Sequence, residues 1–148
     1  MSNPYITALI ESLEKKISVL NEIIAKNKEQ SDLLRADPFS FDAFDKNTEE
    51  KGVLIFRLEK LDDGFETLYE RVKEELDGNR AMYANEIRHM QDLIRQITEK
   101  SASIQAEEAR NKAALENVFK SERDRIKTGR SGVKALQSYN QAMNFNKQ

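Results

Sequence analysis

Pro38 is the last proline of the sequence, and none of the 110 residues that follow forbids an α-helix. Only 5 glycines accompany the 2 prolines. A sheet-rich fold, whose many turns draw on Gly and Pro, is therefore excluded. The length of 148 residues suits one domain. Apolar residues make up 39% of it and charged residues 34%, against roughly 45–50% apolar for an ordinary globular domain. So few apolar residues build a core only if they are concentrated on helix faces.

Their spacing does concentrate them. Steps of three and four, the template of packed helices, run through Ile6, Ile10, Leu13, Ile17, Leu20, Ile24, Asn27, Ser31 and Leu34. Leu9 and Ile23 flank this stripe and widen it enough to pack on two neighbours. A second ladder is Phe44, Asn47, Lys51, Leu54, Leu58, Leu61, Phe65, Leu68 and Val72. A third is Tyr83, Ile87, Met90, Ile94, Ile97, Ser101, Ile104, Glu108, Asn111, Leu115 and Val118. Ser101, Glu108 and Asn111 dilute its later half, which predicts firm packing at its start and looser packing beyond. In an antiparallel hairpin Asn27 and Ser31 face Asn47 and Lys51 near the tip, where polar rungs fix register at a cost in stability.

Breakers separate the ladders. Pro38 disfavours helix at Asp37, Ser40 is an N-cap residue, and Gly78 suits a C′ position. Short turns at these places make neighbouring helices antiparallel. The sequence predicts an all-α, elongated antiparallel three-helix coiled-coil-like bundle over 1–128, with helices at about 5–35, 40–77 and 79–128, and a flexible amphipathic C-terminal tail over 129–148. At 1.5 Å per residue the helices span roughly 45, 55 and 75 Å. The end of the third then projects past the hairpin tip, leaving Val118, Phe119 and Ile126 little covered. Beyond Gly129 and Gly132, the residues Val133, Leu136, Tyr139 and Met143 fall on or beside one helical face, in a segment too short to be a stable helix alone. They either fold back on the body or form a helix-in-groove contact with a partner.

Charge divides the chain. Residues 120–148 hold seven basic and two acidic residues, net +5, leaving −7 on the other 119. Such a split marks a binding segment or a solvated end. Nucleic-acid binding is disfavoured, because the basic stretch follows the bundle, is interrupted by Gly129 and Gly132, and has only Tyr139 nearby for stacking.

Catalysis has little to work with. The absence of Cys removes disulfides, thiolate metal sites and cysteine nucleophiles. Glu86 and His89 have the Glu-x-x-His spacing of di-iron bundles, but those need two such motifs and this chain has one His. Gly129-Arg130-Ser131-Gly132-Val133-Lys134 is too short between glycines for a phosphate loop, and no strand precedes it. The expectation is a protein that is not an enzyme and uses no cofactor or metal. No N-terminal targeting signal or membrane-length apolar run is present, which predicts no membrane insertion and a cytoplasmic location.

Glu11-Ser12-Leu13-Glu14-Lys15-Lys16, the string Phe44, Lys51, Leu54, Leu58, Leu61, Asp62, and the later segments Arg123-Asp124-Arg125-Ile126-Lys127 and Ala135-Leu136-Gln137-Ser138-Tyr139 resemble the FlgN family of flagellar export chaperones. The resemblance implies an ATP-independent cytoplasmic chaperone. Its partners would be the C-terminal helical segments of flagellar hook-associated (hook–filament junction) proteins and the export gate of the type III apparatus. It also implies a gate-docking aromatic in the C-terminal region, for which Tyr139 is the natural position. The client-binding surface is expected at Val118, Phe119, Ile126, Val133, Leu136, Tyr139 and Met143. Deleting 129–148 is then expected to abolish client binding and leave melting largely intact. The alternative is a structural or adaptor coiled-coil protein whose ladders serve homo-oligomerisation.

Overall fold

The computed structural model describes residues 3–123, 137 and 139–141. It is an all-α bundle of three long helices packed against each other: α1 (Pro4–Arg35), α2 (Phe41–Gly78) and α3 (Ala84–Glu122). Among the described residues there is no strand.

Local chemistry explains the helix ends. Asn3 caps α1, its Oδ1 accepting the Tyr5 N–H at 2.8 Å, and Pro4 at the first helical position gives up no hydrogen bond. Ser40 caps α2, its Oγ accepting the Ala43 N–H at 3.1 Å. At the other end Gly78 lies inside the last turn of α2 and not beyond it. The Asn79 side chain closes that terminus instead, donating to the Glu75 carbonyl at 2.9 Å. Residues 79–83 form a turn, so α3 begins at Ala84, later than its ladder suggests. The expected extension of α3 to residue 128 lies outside the described residues. With 39 residues against 38, α3 as described is about as long as α2.

The chain packs as two compact units, unit 1 (Met1–Asn21 and Arg57–Ser101) and unit 2 (Glu22–Phe56 and Ala102–Gln148). Unit 1 buries Ile6, Leu9, Leu13, Val19, Leu20, Val72, Leu76, Met90, Leu93 and Ile97. Its α2 stretch is less covered, with Leu58, Leu61, Phe65 and Leu68 only partly buried. Glu75 of α2 holds the residues that immediately precede α1 and α3, accepting from Asn3 Nδ2 at 2.8 Å and from the Tyr83 hydroxyl at 2.9 Å. Unit 2 buries Ile23, Leu34, Phe44, Leu54, Ile55, Ile104, Leu115 and Tyr139 around a set of buried polar side chains.

Two expectations are corrected. The buried stripe of α1 runs through Leu9, Ile23 and Gln30, whereas Ile10, Ile24 and Ser31 are only partly buried. In α3 Leu93 is buried and Ile94 is 47% exposed. At Leu9/Ile10, Ile23/Ile24 and Leu93/Ile94 adjacent apolar residues compete for one rung, and packing selects between them, whereas Gln30 is drawn in by its polar partners. The later half of α3 is also not the looser one: Ile104, Glu108, Asn111 and Leu115 are all buried. Its polar rungs find partners, as described next, and so do not weaken the packing in the way unpaired groups would.

Candidate functional site

Unit 2 contains the densest chemistry of the molecule. Lys51 is fully buried, and its ammonium lies 2.7 and 2.8 Å from the two carboxylate oxygens of Glu108. It also donates to Gln30 Oε1 at 3.3 Å. Gln30 in turn donates to Asn47 Oδ1 at 3.0 Å and accepts from Asn111 Nδ2 at 3.1 Å. Asn47 Nδ2 reaches the Lys26 carbonyl at 3.0 Å, and Asn27 Nδ2 reaches Glu107 at 3.1 Å. Every one of the three helices thus donates or accepts within one network. A slip of one helix along another would part these groups from their partners, which favours the observed register. Burial pushes the Lys51 ammonium below its ordinary value, and the Glu108 charge opposes that shift.

Tyr139 closes the network from the C-terminal side. It is 1% exposed, its ring stacks on Phe44 with centroids 6.0 Å apart, and the Lys51 ammonium lies 5.5 Å from its ring centre. Its hydroxyl donates to the Glu108 carbonyl at 3.0 Å and lies 3.4 Å from the Glu108 carboxylate. Burial, reinforced by Glu108, raises its phenol pKa well above the ordinary 10.

Beside this slot lies an apolar cluster of Leu34, Phe44, Leu115 and Tyr139, with Phe39, Phe41, Ala114, Val118 and Phe119 packed on it. A cleft of about 420 Å³ opens among Leu34, Ala36, Asp37, Phe39, Ala114, Asn117, Val118, Ser121 and Glu122.

Of the residues expected to form a client surface, Val118, Phe119 and Tyr139 come together here. Ile126, Val133, Leu136 and Met143 lie outside the described residues. Val118 and Phe119 do not project uncovered, as the helix lengths implied, but are partly buried. Phe41, the first residue of α2, stacks on Phe119 at 5.9 Å, and Phe39 of the α1–α2 turn meets Phe41 edge-on at 4.9 Å. Tyr139 follows the fold-back alternative and completes the core of unit 2.

Sequence reasoning missed Phe39, Phe41 and Gln30 as parts of this site. A signal for the ion pair was present, since ladder two carries one cationic rung, Lys51, and ladder three one anionic rung, Glu108. The paired aromatics flanking Ser40 were the signal for the covered helix end.

Elsewhere, His89 is exposed, and the described residues contain no cluster of His, Asp and Glu able to hold a metal ion. No helix among them is long and apolar enough to cross a membrane.

Comparison with curated proteins gives no match, and comparison with solved structures gives none either. The FlgN protein family model matches residues 1–145, nearly the whole chain. With three packed helices and the C-terminal residue Tyr139 seated among them, the chain belongs to the FlgN family, a family of flagellar export chaperones and not of enzymes.

Proposed function

We propose that this protein is a cytoplasmic, ATP-independent chaperone that binds the C-terminal helical segments of flagellar hook–filament junction proteins and delivers them to the type III export gate. The family match over residues 1–145 carries this reading. The cleft beside Val118 supports it, because an amphipathic helix can set apolar side chains into such a cleft and leave its polar face in water. Covering an apolar face of ~400 Å² is worth about 10 kcal/mol before ordering costs, and much of that is spent in immobilising both partners. The resulting affinity permits later release.

The client surface of this proposal comprises Val118, Phe119, Ile126, Val133, Leu136, Tyr139 and Met143. Tyr139 contributes to it directly only when it leaves its buried position.

Titration calorimetry of the full chain with C-terminal peptides of junction proteins tests the proposal. Ser121 lines the cleft and is exposed, so Ser121→Trp obstructs the cleft without disturbing the core. The expected outcome is binding by the unaltered chain and about tenfold weaker binding by Ser121→Trp at unchanged helicity, the weight of one lost apolar anchor. Binding of no junction peptide, or equal binding by the two forms, would overturn it.

A further inference from the structure

Tyr139 is held through contacts of its side chain. Its side chain is buried to 1% exposure, while Gln137, Asn140 and Gln141 around it are all exposed. Among the described residues of this segment Tyr139 is the buried one, and they are helical. We propose that this slot is a tyrosine-binding site open to a partner: a basic amphipathic helix presenting a tyrosine on its apolar face enters it in place of Tyr139.

The contacts specify the occupant. Phe44 supplies a stacking wall 6.0 Å away, and Leu34 and Leu115 complete the apolar surround. The Glu108 carbonyl and carboxylate, at 3.0 and 3.4 Å, receive a hydroxyl. The Lys51 ammonium at 5.5 Å favours the electron-rich ring of tyrosine. A phenylalanine fills the same volume but leaves the hydroxyl position empty above a buried ion pair. That loss is about tenfold in affinity, the weight of one ordinary net hydrogen bond.

Surroundings specify the rest of the partner. The cleft of about 420 Å³ shares Leu34 with the slot and has room for further apolar side chains of the same helix. Asp37 and Glu122 stand in its lining, and residues 22–56 carry eight acidic against five basic residues. Complementary charge on the partner is basic. The chain's own residues 131–148, the segment that contains Tyr139, hold Lys134 and Lys147 and no acidic residue.

Displacement is a competition between tethered and free ligands. Tyr139 hydrogen-bonds a carbonyl 14 residues back from the end of α3, about 21 Å along the helix. The 17 residues from Glu122 to Tyr139 reach at most ~55 Å. A tethered tyrosine acts at an effective concentration on the order of millimolar. A partner using the slot alone cannot compete at lower concentration, whereas one that also fills the cleft can.

This inference deepens the chaperone reading and rests on it for the partner being a helical export client. Its test uses no junction protein, so the two fail separately. The probe is a synthetic peptide of residues 131–148, in its natural form and with Tyr139→Phe. The chain lacks cysteine, so Gln141→Cys gives one labelling position at an exposed residue next to an intact slot. Adding the natural peptide at millimolar concentration should lower the fluorescence anisotropy of that label, and the phenylalanine peptide should need about tenfold more. Full-length Tyr139→Ala, checked for helicity by circular dichroism, should bind the labelled natural peptide at least tenfold tighter than the unaltered chain. A label unmoved by the natural peptide, equal action of the two peptides, or equal binding by Tyr139→Ala and the unaltered chain overturns the proposal. Should Tyr139→Ala lose its helicity, the labelled intact slot decides alone.

Discussion

Lys51 and Glu108 illustrate how one pair of residues couples stability to specificity. A fully buried ammonium is tolerable because a carboxylate, Gln30 and the Tyr139 ring surround it. Removing one partner leaves a buried charge without compensation, so Lys51→Met should cost about 3–5 kcal/mol in urea unfolding. The double variant Lys51→Met, Glu108→Met should recover most of that, since an apolar pair of similar volume replaces the ion pair. Failure of the double variant to recover would mean that the pair holds the network's geometry and does more than neutralise charge. Tyr139 gives a pH signature. Its folded-state pKa is raised above the ordinary 10, so its contribution to stability is complete below pH 10. The contribution is lost as pH rises further, because the unfolded chain ionises first. Lys51, shifted downward, contributes with the opposite sign on approach to 10.5. Thermal melts between pH 9 and 11 should therefore show a fall above pH 10 that is reduced in Tyr139→Phe.

Elements differ in how much of their stability is local. The ends of α1 and α2 are set by Asn3, Ser40 and Asn79, each hydrogen-bonded to backbone within four residues. The helix interiors are amphipathic and depend on packing, which fits their scarcity of apolar residues. Gly64, in the exposed middle of α2, is a local weakness with no compensating contact, since a Cβ built there meets nothing within 4 Å. Gly64→Ala should raise stability by about 0.5–1 kcal/mol through reduced backbone entropy in the unfolded chain. A midpoint shift in denaturant at constant slope checks it. The stripe that each helix buries was only half legible. The ladder correctly named Ile6, Leu13, Leu20, Asn27 and Leu34 of α1, but at Ile10 and Ile24 the flanking Leu9 and Ile23 are the more buried, and at Ser31 it is Gln30. Neighbouring positions lie about 100° apart on a helix, and two apolar neighbours give the period no means to choose between them.

At the scale of the whole molecule, Tyr139 belongs to the folded core of unit 2, while Gln137, Asn140 and Gln141 near it are exposed. Deleting residues 129–148 removes Tyr139 from contact with Phe44, Lys51 and Glu108. The loss should approach the 3–5 kcal/mol typical of deleting a large buried aromatic side chain. Melting should fall, in contrast to the unchanged melting that a detached tail implied. Amide exchange should place the lost protection in unit 2, which holds the slot, and spare unit 1. Exchange accelerated equally in both units would show that the two melt as one.

What the sequence determined by itself was an all-α bundle with three long helices and the polar character of part of the seam. Prolines, caps and three-four spacing act within a few residues, so they can be read along the chain. Tertiary structure decided which of two adjacent stripes is buried, that Phe39 and Phe41 cover the end of α3, and that Tyr139 lies in the core of unit 2. Those outcomes depend on residues far apart in sequence meeting in space. An apolar or aromatic residue announces that it needs cover, but only the packed partners determine what covers it. Lys51 and Glu108, 57 positions apart, become one ion pair only once α2 and α3 lie together.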